Sequence, residues 1–173
     1  FRWEGSKVVY FDPYQLSASA KKADLILVSH EHFDHCSKED LAKIATPETV
    51  IVASADAAKE IRKAHVLCKE LKALSADETH AVAGVKITAL PGYNTNKPFH
   101  QKAAGKLGFM VTMDGETVYH AGDTDFIPEM QAVRCDIALL PVSGTYVMTA
   151  DEAAHAALVI KPKIAIPMHY SDV

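Results

Sequence analysis

The residues best suited to chemistry lie together in His30-Glu31-His32-Phe33-Asp34-His35, which carries three imidazoles and the Asp34 carboxylate within six positions. Neutral imidazole nitrogen and carboxylate oxygen are the ligand types favoured by zinc and its first-row neighbours. In an extended segment, residues two apart face the same side, so His30 and His32 can share one ion. Asp34 and His35, adjacent at the turn, can splay toward a second. A solvated loop that happens to be rich in histidine is the alternative. It fits poorly with the apolar run Leu25-Ile26-Leu27-Val28-Ser29 leading directly into the motif. That run reads as a short buried strand, and a strand's end is where a rigid scaffold holds side chains while a loop aims them.

The elements around the motif follow from spacing. Phe1 to Asp12 reads as two strand arms about Glu4-Gly5-Ser6, closed by Asp12-Pro13-Tyr14. Ser37-Lys38-Glu39-Asp40 approximates a capping box and opens a helix whose buried stripe is Leu41 and Ile44. Thr49 to Ala53 is a strand. Ser54 to Ala64 has helical spacing, with Ala57, Ala58 and Ile61 inward, and His65 closes it. From Val66 to Leu90 the pattern is β, with Gly84 at a hairpin turn or bulge. Pro91 to Pro98 is a long loop rich in turn formers, and long ordered loops in compact domains tend to be functional. Leu107–Met113 and Glu116–Tyr119 flank Asp114-Gly115, a strong hairpin signal. Asp136 to Val142 is a buried strand. Thr149-Ala150-Asp151-Glu152 is a capping box opening an alanine-rich helix that Lys161-Pro162 ends. Lys163 to Ile166 is the last strand. The alternation of hairpins with isolated helices predicts a mixed α/β chain without a strict βαβ series.

Composition narrows the class. The 173 residues predict a single domain, 1–173, long enough to bury a core. With 18 basic against 22 acidic residues the net charge is −4, which gives no electrostatic reason to expect nucleic acid as a partner. No apolar run approaches the roughly 20 residues of a membrane helix, and nothing at the start reads as a signal peptide. Cys36, Cys68 and Cys135 are an odd number without a close pair, as expected of reduced thiols in a cytoplasmic protein. Cys36, next to the motif, is a ligand candidate; a small packed residue is the favoured reading.

The HxHxDH motif after a buried strand resembles the metallo-β-lactamase fold family of metal-dependent hydrolases. Tyr119-His120-Ala121-Gly122-Asp123-Thr124-Asp125 is similar to its Gly-Asp segment, and Ile166-Pro167-Met168-His169-Tyr170 to its last ligand-bearing strand. The resemblance implies an α/β, mixed α+β architecture, a four-layer αβ/βα sandwich with metals at one rim. The strand carrying the family's usual Gly-His-Ala segment is absent here, as are the family's usual final helix and strand. Either the chain is trimmed at its ends, or another chain covers the exposed edge, because an uncovered apolar edge invites association into a homo-oligomer. Many relatives carry a ligand histidine straight after the proline-glycine turn, where this chain has Tyr93. His100, at the far end of the loop, is the nearest candidate, with a substrate-facing role as its alternative. Asp123 projects from the sharp turn at Gly122 and can bridge two cations; capping a helix near Ile127-Pro128-Glu129 is its alternative, a task open to Thr124 or Asp125 as well.

The implied ligand set is His30, His32 and His100 on one ion, and Asp34, His35 and His169 on the other, with Asp123 between. One or two Zn2+ are expected, with Mn2+ or Fe as alternatives. The expected activity is hydrolysis of a lactone, ester or phosphodiester in a small-molecule substrate, with Asp34 orienting the nucleophile and Tyr146 or His120 assisting the leaving group or oxyanion. The alternatives are a non-catalytic metal-binding protein and, with His32 standing where the family's diiron oxidases carry glutamate, a diiron oxidoreductase.

Overall fold

The computed structural model describes residues 1–170. It divides into two compact units, one of Phe1–Ser75 with Ala81–Gly84, the other of Ala76–His80 with the chain from Val85 onward.

The first unit is built on a five-stranded sheet in sequence order: β1 (Arg2–Glu4), β2 (Val8–Phe11), β3 (Leu25–Val28), β4 (Val50–Ser54) and β5 (Glu70–Leu74). β1 pairs antiparallel with β2, and the other pairings are parallel. β3 and β4 are buried at every residue, as continuous apolar sequence in a parallel sheet requires. α1 (Lys38–Ile44) and α2 (Ala55–Lys63) connect β3 to β4 and β4 to β5. From β3 onward this unit is a βαβαβ series, while the chain as a whole is mixed α/β, as the pattern predicts. The series left little signal in the sequence because β5, Glu-Leu-Lys-Ala-Leu, is an edge strand with a mostly open surface and lacks the apolar run of its neighbours. Ser37 and Ser54 cap the two helices, each hydroxyl accepting a backbone N–H from the first turn. Leu41 and Ile44 of α1 and Ala57, Ala58 and Ile61 of α2 join Tyr10, Ile26, Val28, Ile51 and Ala53 in one buried cluster. Cys36 belongs to it too.

The second sheet has six strands in the order β11-β10-β9-β8-β7-β6, comprising β6 (Thr79–Val82), β7 (Val85–Pro91), β8 (Leu107–Met113), β9 (Glu116–His120), β10 (Ile137–Pro141) and β11 (Ile164–Met168), all in the second unit but for Ala81 and Val82. β9, β10 and β11 run parallel; β7, β8 and β9 run antiparallel. Asp114 and Gly115 both adopt positive φ, +54° and +84°, the backbone that joins two strands in a two-residue turn. α3 (Ala150–Ile160) opens on Thr149 with both halves of its capping box formed and closes on Lys161 in the left-handed region. The segment after Ile127 is a short 3-10 helix, Pro128–Ala132, and its N-cap position makes no side-chain cap, so the capping alternative for Asp123, Thr124 and Asp125 falls away. Among the described residues no helix is long and apolar enough to cross a membrane.

The end of β9 passes unusually close to its neighbours. A Cβ on Gly108 would stand 2.8 Å from the Ala121 carbonyl oxygen and 2.9 Å from that of His120. Gly108→Ala is therefore expected to destabilise the protein by about 1–3 kcal/mol, since backbone has to move to admit the methyl. A denaturant midpoint equal to that of the parent protein would show the approach to be looser than described.

Candidate metal centre

Each unit assembles part of the sequence-predicted site. In the first, β3 ends at Val28 and Ser29 leads into the motif, which turns back on itself as the His35 and Cys36 amides donate to the His32 carbonyl. This turn gathers the imidazoles. His30 is fully buried, and its Nε2 lies 3.1 Å from His32 Nδ1. Two imidazole nitrogens on one tetrahedral zinc, at bonds of about 2.0–2.1 Å, stand roughly 3.3 Å apart. The observed spacing suits a shared ion. Asp34 Oδ2 is 3.3 Å from His35 Nε2.

The residue that orients this cluster is Asp12, which the sequence places where the second strand arm closes. Its Oδ1 accepts from the Ser29 amide at 2.7 Å, and its Oδ2 from the Ser29 hydroxyl at 2.6 Å and His35 Nδ1 at 2.7 Å. Ser29 Oγ in turn lies 2.9 Å from His30 Nδ1. A single proton arrangement satisfies the chain: His30 Nδ1–H donates to Ser29, Ser29 donates to Asp12, and His35 Nδ1–H donates to Asp12. Both imidazoles then keep their Nε2 lone pairs for a cation. Asp12, His30 and His35 also lie close enough to hold an ion themselves. The three hydrogen bonds already on the carboxylate favour an orienting role for Asp12. The signal for it was the aspartate at a strand end; its partners could not be read locally.

In the second unit, Asp123 is buried between two imidazoles, its Oδ2 3.7 Å from His100 Nε2 and 3.6 Å from His169 Nε2. These gaps are too long for hydrogen bonds and suit donors that share cations. Gly122 turns the chain with φ +64°, aiming Asp123 away from β9. The Gly-Asp segment is stitched in place by its neighbours. The Thr124 hydroxyl exchanges bonds with the Tyr93 backbone, the Asp125 amide donates to the Tyr93 carbonyl, and the Met148 amide donates to the Thr124 carbonyl. Asp125 accepts from the Thr95 amide and from Lys97, which fastens the 91–98 loop. That loop delivers His100, whose carbonyl accepts from the Asn94 amide at 2.8 Å. Tyr93 itself donates its hydroxyl to Glu129. His169 follows β11, with Nδ1 3.2 Å from Ser143 Oγ, so Nε2 is the nitrogen turned to Asp123.

The two candidate proton donors differ. Tyr146 is 45% exposed. His120 is buried in β9, where its Nδ1 accepts the Gly122 amide at 3.3 Å. Cys36 packs in the core, and burial pushes its thiol up to about 12, so it remains a protonated packing residue. The donor set as a whole, imidazole and carboxylate with ring tautomers held by carboxylate and hydroxyl, fits a first-row transition metal.

Comparison with known proteins agrees with this chemistry. Residues 1–169 match the model of the β-lactamase superfamily domain. A UPF0173 metal-dependent hydrolase of Thermoplasma acidophilum is 36% identical over 178 residues, covering 96% of this chain and 77% of that protein. A second, of Pyrococcus abyssi, is 35% identical over 185 residues, covering 99% and 80%. The crystal structure of a candidate metal-dependent hydrolase from Parabacteroides distasonis superposes with a TM-score of 0.83 at 35% identity, covering 96% of this chain and 76% of that one.

If Asp12 sets the imidazole orientation, Asp12→Ala should weaken zinc binding roughly 10- to 100-fold in competition with a chromogenic chelator, as loss of such partners does elsewhere. Unchanged zinc affinity in a folded variant would assign Asp12 a purely structural role.

Proposed function

The chain belongs to the β-lactamase superfamily of metal-dependent hydrolases, and from that premise we propose that it cleaves a lactone, ester or phosphodiester bond in a small molecule with water activated at a binuclear, zinc-type centre. The observation that carries this reading is the chain of contacts from His30 through Ser29 and Asp12 to His35, which fits rings protonated at Nδ1 and turning Nε2 toward His32 and Asp34, the other candidate donors. In the proposed ligand set, His30, His32 and His100 hold one ion, Asp34, His35 and His169 hold the other, and Asp123 is shared. Such ions, when bound, supply Lewis acidity and bring the pKa of water from about 15.7 toward 7.

The chain's own residues then have distinct tasks. Asp34 accepts a proton from the attacking water and fixes its direction toward the carbonyl carbon or phosphorus. The carbon–oxygen or phosphorus–oxygen bond breaks, and the departing oxygen takes a proton, for which the exposed Tyr146 hydroxyl is the proposed donor. His120 serves the site by holding Gly122, and through it the turn that presents Asp123. Three thiols without disulfides accord with a reducing, cytoplasmic setting.

Protein purified without added metal should carry one to two transition ions per chain, the estimate for paired-site chemistry. A panel of lactone, carboxylester and bis-p-nitrophenyl phosphate substrates, each with zinc, manganese and iron, should reveal turnover that chelation removes. Asp34→Asn and His32→Ala should each abolish that turnover while leaving the circular dichroism unchanged. Full activity in both variants would refute the ligand assignment, and metal loading without turnover of any substrate would favour a non-catalytic metal-binding protein.

A further inference from the structure

In the second unit two exposed aromatic rings stand beside the candidate ligands without serving the core. Phe99 precedes His100, and Tyr146 lies in the loop that begins at Ser143, the neighbour of His169. Their exposures are 44% and 45%, and their ring centroids are 5.0 Å apart at 71°. An edge-to-face pair of this kind leaves a ring face open for a third group.

The two loops carrying these rings are clamped by a buried residue. Asn94 donates its backbone N–H to the His100 carbonyl at 2.8 Å and its side-chain amide to the Tyr146 carbonyl at 2.8 Å. The 143–149 loop is pinched at its base by the Ser143–Thr149 bridge and by the Gly144 amide donating to the Met148 carbonyl. Exposed aromatics scattered singly need no explanation. A pair fixed to each other by a buried amide, on the loops that present two candidate ligands, is a built surface.

Charge identifies what the surface suits. Lys97 is bound to Asp125, and Lys102 is bound to Glu129 at 2.8 Å. The ammonium groups of the 91–102 stretch are thus engaged within the loop, and the rings offer apolar area in place of a cation that would recognise a phosphate. We propose that Phe99 and Tyr146 form the wall of a specificity subsite for a neutral, apolar acyl group, which selects carboxylic esters or lactones over phosphodiesters. This inference rests on the metal-dependent hydrolase reading for its reaction, and its test is arranged to separate the two.

Hydroxamates chelate metal ions through the same two oxygens whatever their acyl group, so they report the wall without requiring turnover. Zinc-loaded protein should bind phenylacetohydroxamate roughly tenfold more tightly than acetohydroxamate, the scale of discrimination an apolar pocket provides. Phe99→Ala should bring the two affinities to within about twofold of each other by weakening the phenyl compound alone, a difference under 1 kcal/mol. The acetohydroxamate affinity controls for folding, and Phe99→Tyr should keep the preference. Tyr146→Phe should keep it as well, which separates the ring from the hydroxyl assigned to the leaving group. In parallel, the ratio of kcat/KM for methyl phenylacetate over methyl acetate should fall in Phe99→Ala. Equal affinities in the parent protein, failure of either hydroxamate to bind, or a preference that survives Phe99→Ala would overturn the subsite. The predicted hydroxamate preference with no turnover of either ester would uphold the subsite and refute carboxylic-ester cleavage as the reaction.

Discussion

One buried carboxylate organises the chemistry of the first unit. Asp12 takes three hydrogen bonds, two from Ser29 and one from His35, at 2.6–2.7 Å. Burying a carboxylate costs several kcal/mol when it lacks partners, and short bonds to both of its oxygens offset that cost. The residue sits at the end of β2 in the left-handed region, φ +42°, a conformation aspartate tolerates better than most. Through it the end of β2, the end of β3 and the His30–His35 turn become one rigid piece. The imidazole tautomers follow from that rigidity.

The same backbone device recurs in the second unit. His100 and His169 have φ +47° and +52°, and Gly122, preceding Asp123, has φ +64°. Each stands where a regular element has ended or is about to begin, and each turns its side chain or its neighbour's out of the sheet. Strained φ values persist when the surroundings over-determine them. Here the surroundings are visible: Thr124 and Asp125 bind the loop at Tyr93, Thr95 and Lys97, while Asn94 fastens both the His100 carbonyl and the 143–149 loop. The sheets provide rigid anchors, and the polar stitching between loops carries that rigidity outward to His100, Asp123 and His169.

This stitching also explains why a long loop free of regular structure through residue 101 is ordered. Gly92, Tyr93 and Asn94 are buried, and a buried loop needs partners for its amides and carbonyls. The Tyr93 amide finds the Thr124 hydroxyl, the Asn94 amide finds the His100 carbonyl, and the Thr95 amide finds Asp125. The Lys97 ammonium is engaged in the same task, and Phe99 is the aromatic ring on the loop's exposed face.

What the sequence determined by itself was local. The helix starts at Ser37, Ser54 and Thr149 were legible because each cap hydroxyl meets an amide three residues ahead. The Asp114-Gly115 turn was legible because both positive φ values belong to adjacent residues that accept them. The motif His30 to His35 was legible because its ligand types crowd behind an apolar strand. The parallel order of the first sheet was decided by tertiary pairing of strands far apart in the chain, and β5 showed too little apolar character to announce it. Asp12 acquired its role from Ser29 and His35, 17 and 23 residues away. The convergence of His100 and His169 on Asp123, and of Phe99 on Tyr146, likewise depends on which loops the sheet brings together. Bonds that close within one turn leave their mark in neighbouring residue types. Contacts made across a sheet leave none, because any residue of suitable chemistry at the meeting point would read the same.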